Sequence, residues 1–192
     1  MKYRFLLITM LFCGVSLFSQ NKKFSLEANY PVTIDNNFIG DRSFGVIDLG
    51  VKYRAVHLEI VKLGVGINGG VLVDNTNQAN FSSDFQRTIY TIQPKVFGEF
   101  NLPNVTKLHP FVNLGYSFVR IDLSGSNNGQ NVSDLSDTVS GINMGLGVSY
   151  DILSRVFLQI QYDFSKLNSG DAPDTAYNTN FNLLKIGVGL RF

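Results

Sequence analysis

Side chains that could catalyse a reaction or bind a metal are few in this sequence. Its 192 residues include two histidines, His57 and His109, and one cysteine, Cys13. General acid–base catalysis near neutral pH most often uses histidine, and neither histidine has a convincing serine partner in sequence. The single cysteine argues against an intramolecular disulfide and a cysteine-rich zinc site. We therefore predict no catalytic residue, no metal site and no cofactor.

One glycine pattern is similar to a nucleotide-binding motif. Gly64, Gly66 and Gly69 have the spacing G-x-G-x-x-G, but a dinucleotide site needs a strand before this motif and a helix after it. Here the glycines lie within an alternating apolar and polar segment, and similar glycine spacing recurs in 141–150 and 184–192. Glycines that relieve crowding inside a sheet explain this pattern better than nucleotide binding does.

Charged side chains of both signs recur on the polar face of several alternating segments. Because charges removed from water must be paired, this mixture predicts ion pairs and hydrogen bonds on one side of a sheet. The charged residues on this face are Glu27, Asp48, Lys52, Lys62, Lys95, Glu99, Asp163, Lys185 and Arg191.

The N-terminus has the order of a secretory signal peptide. Lys2 and Arg4 precede an apolar run over 5–18, and small residues follow. The run is shorter than the roughly 20 residues of a transmembrane helix. We predict a cleaved signal peptide over 1–19 and a single domain over 20–192. The 16 basic and 15 acidic residues nearly balance, so no nucleic-acid partner is expected.

The remaining chain shows period-two alternation, which is typical of β-strands with one apolar face. Each alternating segment is about the length that crosses a bilayer as a tilted strand. Eight such segments fill the chain: 24–32, 45–54, 62–68, 90–100, 112–118, 141–150, 156–165 and 184–192. In the second segment, Gly45 is assigned to the apolar face with Ile47 and Leu49.

The connections between these segments alternate in length. Short connections fall at 55–58, 101–109 and 152–154, and long polar ones at 33–42, 74–87, 122–137 and 166–180. This alternation is typical of an up-and-down outer-membrane barrel with short turns and both termini in the periplasm and long loops outside. His57 and His109 would both lie on short periplasmic connections, far from an outer-leaflet substrate, so we expect no enzyme.

The apolar face could contact lipid, or it could line the cavity of a soluble lipocalin-like carrier. Aromatic residues of this face lie near both ends of the segments, as in the two aromatic girdles of membrane barrels. The polar face, with its glycines and paired charges, suits the narrow interior of an eight-stranded barrel. Lipid contact is therefore favoured. The predicted interface aromatics are Phe24, Tyr30, Tyr53, Tyr90, Phe100, Phe118, Tyr150, Tyr162, Phe164 and Phe192.

The stretches "LGVGINGG", "INMGLGVSYD" and "LLKIGVGLRF", together with the terminal Phe192, resemble the small outer-membrane β-barrel family of Bacteroidota, with the architecture of the OmpA and OmpX barrels. The resemblance implies an all-β, eight-stranded antiparallel up-and-down transmembrane barrel, surrounded by outer-membrane lipid and lipopolysaccharide. Phe192 resembles the C-terminal signal read by the barrel assembly machinery, which would be a transient partner. No peptidoglycan-binding domain is expected after Phe192.

The leading functional hypothesis is a non-enzymatic barrel with a structural or surface-binding role. Binding would use the four long loops, because loops on a rigid scaffold often carry recognition, and the ligand would be an extracellular protein or glycan. The inward charges favour a plugged lumen over a narrow path for ions or small solutes, although charged rings can also set selectivity. The narrow pore and the soluble carrier of an apolar ligand stay as alternatives.

Overall fold

The computed structural model describes residues 22–34, 37–40, 43–75, 83–127, 130–168 and 173–192. Within these residues no helix is long and apolar enough to cross a membrane. The predicted signal peptide, 1–19, lies outside the described residues. The elements in chain order are β1 (Phe24–Thr33), β2 (Ser43–His57), β3 (Val61–Asn75), β4 (Ser83–Phe100), β5 (Leu108–Asn127), β6 (Gln130–Asp151), β7 (Val156–Leu167), α1 (Ala176–Thr179) and β8 (Asn180–Arg191).

The sheet closes on itself. Each strand pairs antiparallel with its neighbours in sequence, and β1 also pairs with β8, where Ser25 lies opposite Arg191 and Thr33 opposite Leu183. A closed ladder leaves no sheet edge, which is the requirement for strands that cross a hydrocarbon layer. The predicted eight-stranded, antiparallel, up-and-down barrel is therefore confirmed.

The apolar face of the strands points outward. Ile142, Met144 and Leu146 of β6 are half exposed or more, and the other strands likewise expose aliphatic side chains along their outer face. An apolar surface of this extent is typical of contact with lipid. It also removes the basis of the soluble-carrier alternative, because that carrier needs the apolar face on the inside.

The ten aromatics predicted at the membrane interfaces all have outward, unburied side chains. Phe24 begins β1 and its ring centroid lies 4.8 Å from that of Tyr53, its cross-strand partner. Towards the short-turn end lie Phe24, Tyr53, Phe100, Tyr150 and Phe192, and farther along the strands lie Tyr30, Tyr90, Phe118, Tyr162 and Phe164.

Two of the four predicted long loops are shorter in the structure than the sequence predicted. β4 begins at Ser83, and only residues 128 and 129 separate β5 from β6. β5 and β6 are 20 and 22 residues long, whereas about 9 to 11 residues cross a bilayer. Much of the predicted connections 74–87 and 122–137 is thus paired strand that continues past the apolar band.

The assignment of Gly45 to the apolar face is also wrong. Gly45 is buried on the inner face, whereas Phe44, Val46 and Ile47 are exposed. The β2–β3 register shifts between Gly45 and Ile47. A β-bulge adds one residue to a strand, so the alternation on its two sides is out of phase.

Candidate functional site in the barrel interior

At the short-turn end of the interior, three cations converge on the carboxylate of Glu99. Arg54 donates from Nε to Oε1 at 3.2 Å and from Nη2 to Oε2 at 2.7 Å. Arg191 Nη2 lies 3.5 Å from Oε2, and Lys62 Nζ lies 3.8 Å from Oε1. Paired guanidinium–carboxylate hydrogen bonds are strong and fix geometry. Glu99 therefore ties β2, β3 and β8 to β4.

A second carboxylate, Asp151, extends this cluster. Arg191 donates from Nη1 to Asp151 Oδ1, and His109 Nε2 lies 3.2 Å from Asp151 Oδ2. The prediction that His109 lies on a short connection is wrong, because β5 begins at Leu108 and His109 is buried on its inner face. The predicted short connection at 55–58 is also misplaced, because β2 continues to His57, its exposed last residue, and the connection is 58–60.

Farther in, Lys185 lies between two buried aspartates. Its Nζ is 2.8 Å from Asp48 Oδ2, 2.9 Å from Asp163 Oδ2 and 2.7 Å from Gln93 Oε1. Asn68 donates to Asp48 Oδ1 at 2.6 Å. The side chains of Lys185 and both aspartates are 1% exposed. The hydrogen bonds compensate the desolvation that makes buried charges costly.

Lys52 makes a third buried pair. Its Nζ lies 2.7 Å from Glu27 Oε1 and 4.2 Å from the centroid of the Phe111 ring. Gln159 Nε2 donates to Glu27 Oε2 at 3.0 Å. The ring adds a cation–π contact to the ion pair. Arg191 has a similar place over Phe157, with its guanidinium carbon 4.3 Å from the ring centroid.

Three inward phenylalanines each lie opposite a glycine on the neighbouring strand. The cross-strand pairs are Gly64 with Phe97, Phe111 with Gly147, and Phe157 with Gly189. A Cβ atom added to the first two glycines would lie 2.7 and 2.6 Å, respectively, from a ring atom of the partner, and one added to Gly189 would lie closer still. The glycines therefore provide the space that the rings fill. Sequence analysis missed this role of the phenylalanines.

Lys95 also faces inward and is buried, but its Nζ has no hydrogen-bond partner within the described part of the chain. The same holds for both amide atoms of Asn113 on the adjacent β5. Buried polar groups of this kind in folded proteins usually bond to ordered water. The structure thus brings Lys95 into the interior without a direct ion pair.

An apolar layer fills the interior towards the long-loop end, and sequence analysis missed it. Ile39 of the β1–β2 connection inserts into this layer, and Phe38 N donates to Tyr177 O at 3.2 Å. Arg87 holds the same connection, donating to Phe38 O at 2.7 Å and to Ser43 Oγ at 3.0 Å. The buried members are Ile39, Leu72, Ile89, Val119, Ile121, Leu167, Phe181 and Leu183.

The short-turn end is open, in contrast. A cavity of about 640 Å³ lies there, lined by polar and charged side chains of the strand ends and turns. Its basic lining residues are Lys22, Arg54, Lys62 and Arg191, with both histidines beside them. Its acidic lining residues are Glu59 and Asp151. We call it the short-turn cavity.

All nine charged residues predicted on the polar face lie on the inner side of the barrel. Eight are buried, and Lys62, whose side chain is 26% exposed, lines the short-turn cavity. Sequence analysis did not include Arg54 or Asp151, which complete the cluster around Glu99 and Arg191. Among the residues that the structure describes, no group of three or more histidine, cysteine or acidic side chains is placed to hold a metal ion.

Comparisons with known proteins agree with this architecture. The family model described as "Outer membrane protein beta-barrel domain" matches residues 5–192. No curated protein matches the sequence significantly.

Several solved structures share the fold at low sequence identity. Ail, the attachment invasion locus protein of Yersinia pestis, in complex with the heparin analogue sucrose octasulfate, matches at 13% identity and TM-score 0.58, over 88% of this chain and 96% of that one. Neisserial surface protein A matches at 16% identity and TM-score 0.55, over 88% and 97%. A major outer membrane protein of Thermus thermophilus matches at 13% identity and TM-score 0.59, over 88% and 98%.

Proposed function

The chain belongs to the outer-membrane β-barrel family, and from this premise we propose that it is a non-enzymatic integral barrel with a closed interior and a structural or surface-binding long-loop end. The observation that carries the proposal is the filled interior. Buried ion pairs around Lys185 and Glu99 occupy the polar part, and the apolar layer occupies the part beyond it. Eight strands enclose just enough space for such side chains.

A closed interior distinguishes this proposal from a narrow pore. We expect the purified protein in a planar lipid bilayer to give no steady conductance steps, with a porin from the same detergent as the positive control. The apolar layer supports this result, since hydrophobic constrictions oppose the passage of ions. Steady, voltage-independent conductance from the pure protein would overturn the closed interior and favour the pore.

The orientation that we propose puts the short turns and both termini in the periplasm and the long loops outside. Short periplasmic and longer extracellular connections are the general pattern of such barrels. The outer face would contact membrane lipid and lipopolysaccharide, and the β8 end with Phe192 would engage the barrel assembly machinery transiently. The mature domain would be 20–192, after loss of the signal peptide.

Surface binding would involve the strand extensions beyond the apolar band. Arg120 and Asp122 are outward residues of β5 there and pair with each other at 2.8 Å, while Tyr177 of α1 is 49% exposed. Loops on a rigid scaffold are frequent recognition sites. A glycan or protein of the cell surface is the ligand class that we propose, and Ail, which shares the fold, was solved with a heparin analogue.

A replacement experiment tests this role. Residues 173–178 are replaced by a Gly/Ser linker of equal length, and the matched control replaces the short turn 152–155 in the same way. In a deletion strain we expect the control to restore the envelope or adhesion phenotype and the long-loop variant to fail. If both variants restore every deletion phenotype, residues 173–178 have no binding role.

A further inference from the structure

We propose that the short-turn cavity is a binding site for a small dissolved oxyanion, a carboxylate or a phosphate, held by Lys62 and Arg191. Both side chains line this cavity. They come from β3 and β8, so the closed sheet, and not a single turn, brings them together.

The charge of the cavity favours an anion. Four cations line it, whereas its lining carboxylates are those of Glu59 and Asp151. The carboxylate of Glu99 below accepts contacts from three of these cations, Arg54, Lys62 and Arg191. Arg191 also pairs with Asp151, so Arg54, Lys62 and Arg191 face two carboxylates, and one positive charge remains uncompensated at the cavity floor.

Unused hydrogen-bonding capacity is present at the same place. Arg191 is 5% exposed, yet its Nε has no hydrogen-bond partner within the described residues. Within the described residues, Lys62 has one ion-pair contact, in which its Nζ lies 3.8 Å from Glu99. An unpaired buried donor is costly, and an oxyanion offers several strong acceptors to such donors at once.

The cavity has the size and access of a binding site. Its volume of about 640 Å³ falls in the usual range of small-molecule sites, about 300–1,000 Å³. Water-borne solutes can enter from the open short-turn end, but the ion pairs around Lys185 and the apolar layer block the way beyond. A solute that enters therefore binds and leaves by the same opening.

The ligand reaches this site from solution and not from the bilayer. The cavity-lining side chains Arg54, His109 and Arg191 lie on the inner face of the wall, while lipid contacts the outer face. A phospholipid headgroup would have to cross the rim of short turns to reach Lys62. The phosphate of a lipid headgroup is the competing source of the ligand, and the experiment has to distinguish it from dissolved phosphate.

The test is a titration followed by amide NMR in uncharged maltoside micelles. Sodium phosphate and sodium acetate are compared with sodium chloride at matched ionic strength. We expect saturable shifts at residues 62, 109 and 191 with the oxyanions only. Lys62→Gln should weaken binding about tenfold or more, the effect of losing one charge-assisted hydrogen bond, while Lys166→Gln at the other end should leave it unchanged.

Three outcomes would overturn the proposal. The first is a shift that follows ionic strength and is the same with chloride, which indicates general screening. The second is equal binding by the wild type and Lys62→Gln, with the heat-modifiable gel shift proving that both are folded. The third is a shift in phosphatidylglycerol nanodiscs with none from dissolved phosphate, which would assign the site to lipid headgroups.

Discussion

Replacing Lys185 by methionine is the most direct test of the polar interior. The substitution keeps a long unbranched side chain but removes the ammonium group that lies 2.8 Å from Asp48 and 2.9 Å from Asp163. Both carboxylates are then buried without their shared cation. Gln93 also loses its contact of 2.7 Å with Nζ.

The expected loss of unfolding free energy is large. Removing one partner of a buried ion pair costs about 3 to 5 kcal/mol, because a desolvated charge is left uncompensated. Removing the Lys185 ammonium group leaves two such carboxylates, so we expect a loss of unfolding free energy at the upper end of that range. Asn29 and Asn68 still donate to Asp48 at 3.0 and 2.6 Å, and these hydrogen bonds keep the loss from doubling.

The assay is equilibrium urea unfolding in micelles followed by far-ultraviolet circular dichroism, with the gel mobility shift as a second probe. The matched control is the triple variant Lys185→Met, Asp48→Asn and Asp163→Asn, which removes the cation and both anions together. Since neutral replacement of a buried ion cluster is often tolerated, the control should recover most of the loss. A Lys185→Met barrel within about 1 kcal/mol of the wild type would refute the reasoning, because it would show that the charges are hydrated or paired elsewhere.

Three further substitutions test the ring–glycine packing, the outer face and the long-loop clamp. Gly189→Ala should cost about 1 to 3 kcal/mol in the same unfolding assay, because its Cβ would overlap the Phe157 ring. Gly69→Ala, whose Cβ meets nothing nearer than 3.9 Å, is the control, and equal losses would exclude the packing argument. Leu146→Arg on the outer face should cost about 2 to 4 kcal/mol in vesicles, and a neutral effect there would contradict lipid contact. Arg87→Met should increase protease cleavage within 37–40, detected by mass spectrometry, because the clamp on that connection is lost; unchanged cleavage would show that the apolar layer alone holds it.

The membrane-crossing part of the fold could be predicted from sequence because the two faces of each strand meet different surroundings. Lipid outside and ion pairs inside give a strict alternation such as that of Ile142, Met144 and Leu146 with Asn143 and Gly145. This alternation identifies both the strands and the residues that face inward. The alternation does not identify which charged residues form ion pairs with each other. That depends on the cross-strand register, which bulges such as the one between Gly45 and Ile47 shift.

The parts of β5 and β6 that continue past the apolar band could not be predicted from the sequence. There the pattern changes from apolar outside and polar inside to polar outside and apolar inside. In β5, Phe118 faces outward within the apolar band, but beyond it Arg120 faces outward while Val119 and Ile121 are buried inside. Water outside and an apolar layer inside favour this opposite pattern. A search for alternation that keeps the apolar residues on one constant face assigns this stretch to a polar loop. The predicted boundaries of β5 and β6 are wrong for this reason.

This reversal also predicts how the interior that we propose to be closed would respond to damage. The polar part depends on ion pairs that one substitution such as Lys185→Met can unbalance, whereas the apolar layer depends on the side chains of several strands and on Ile39. Damage to the polar part therefore lowers stability while the apolar layer still excludes water and ions. We expect Lys185→Met to unfold more readily and yet stay silent in a planar bilayer. Conduction from this single variant would show that the ion pairs alone close the interior.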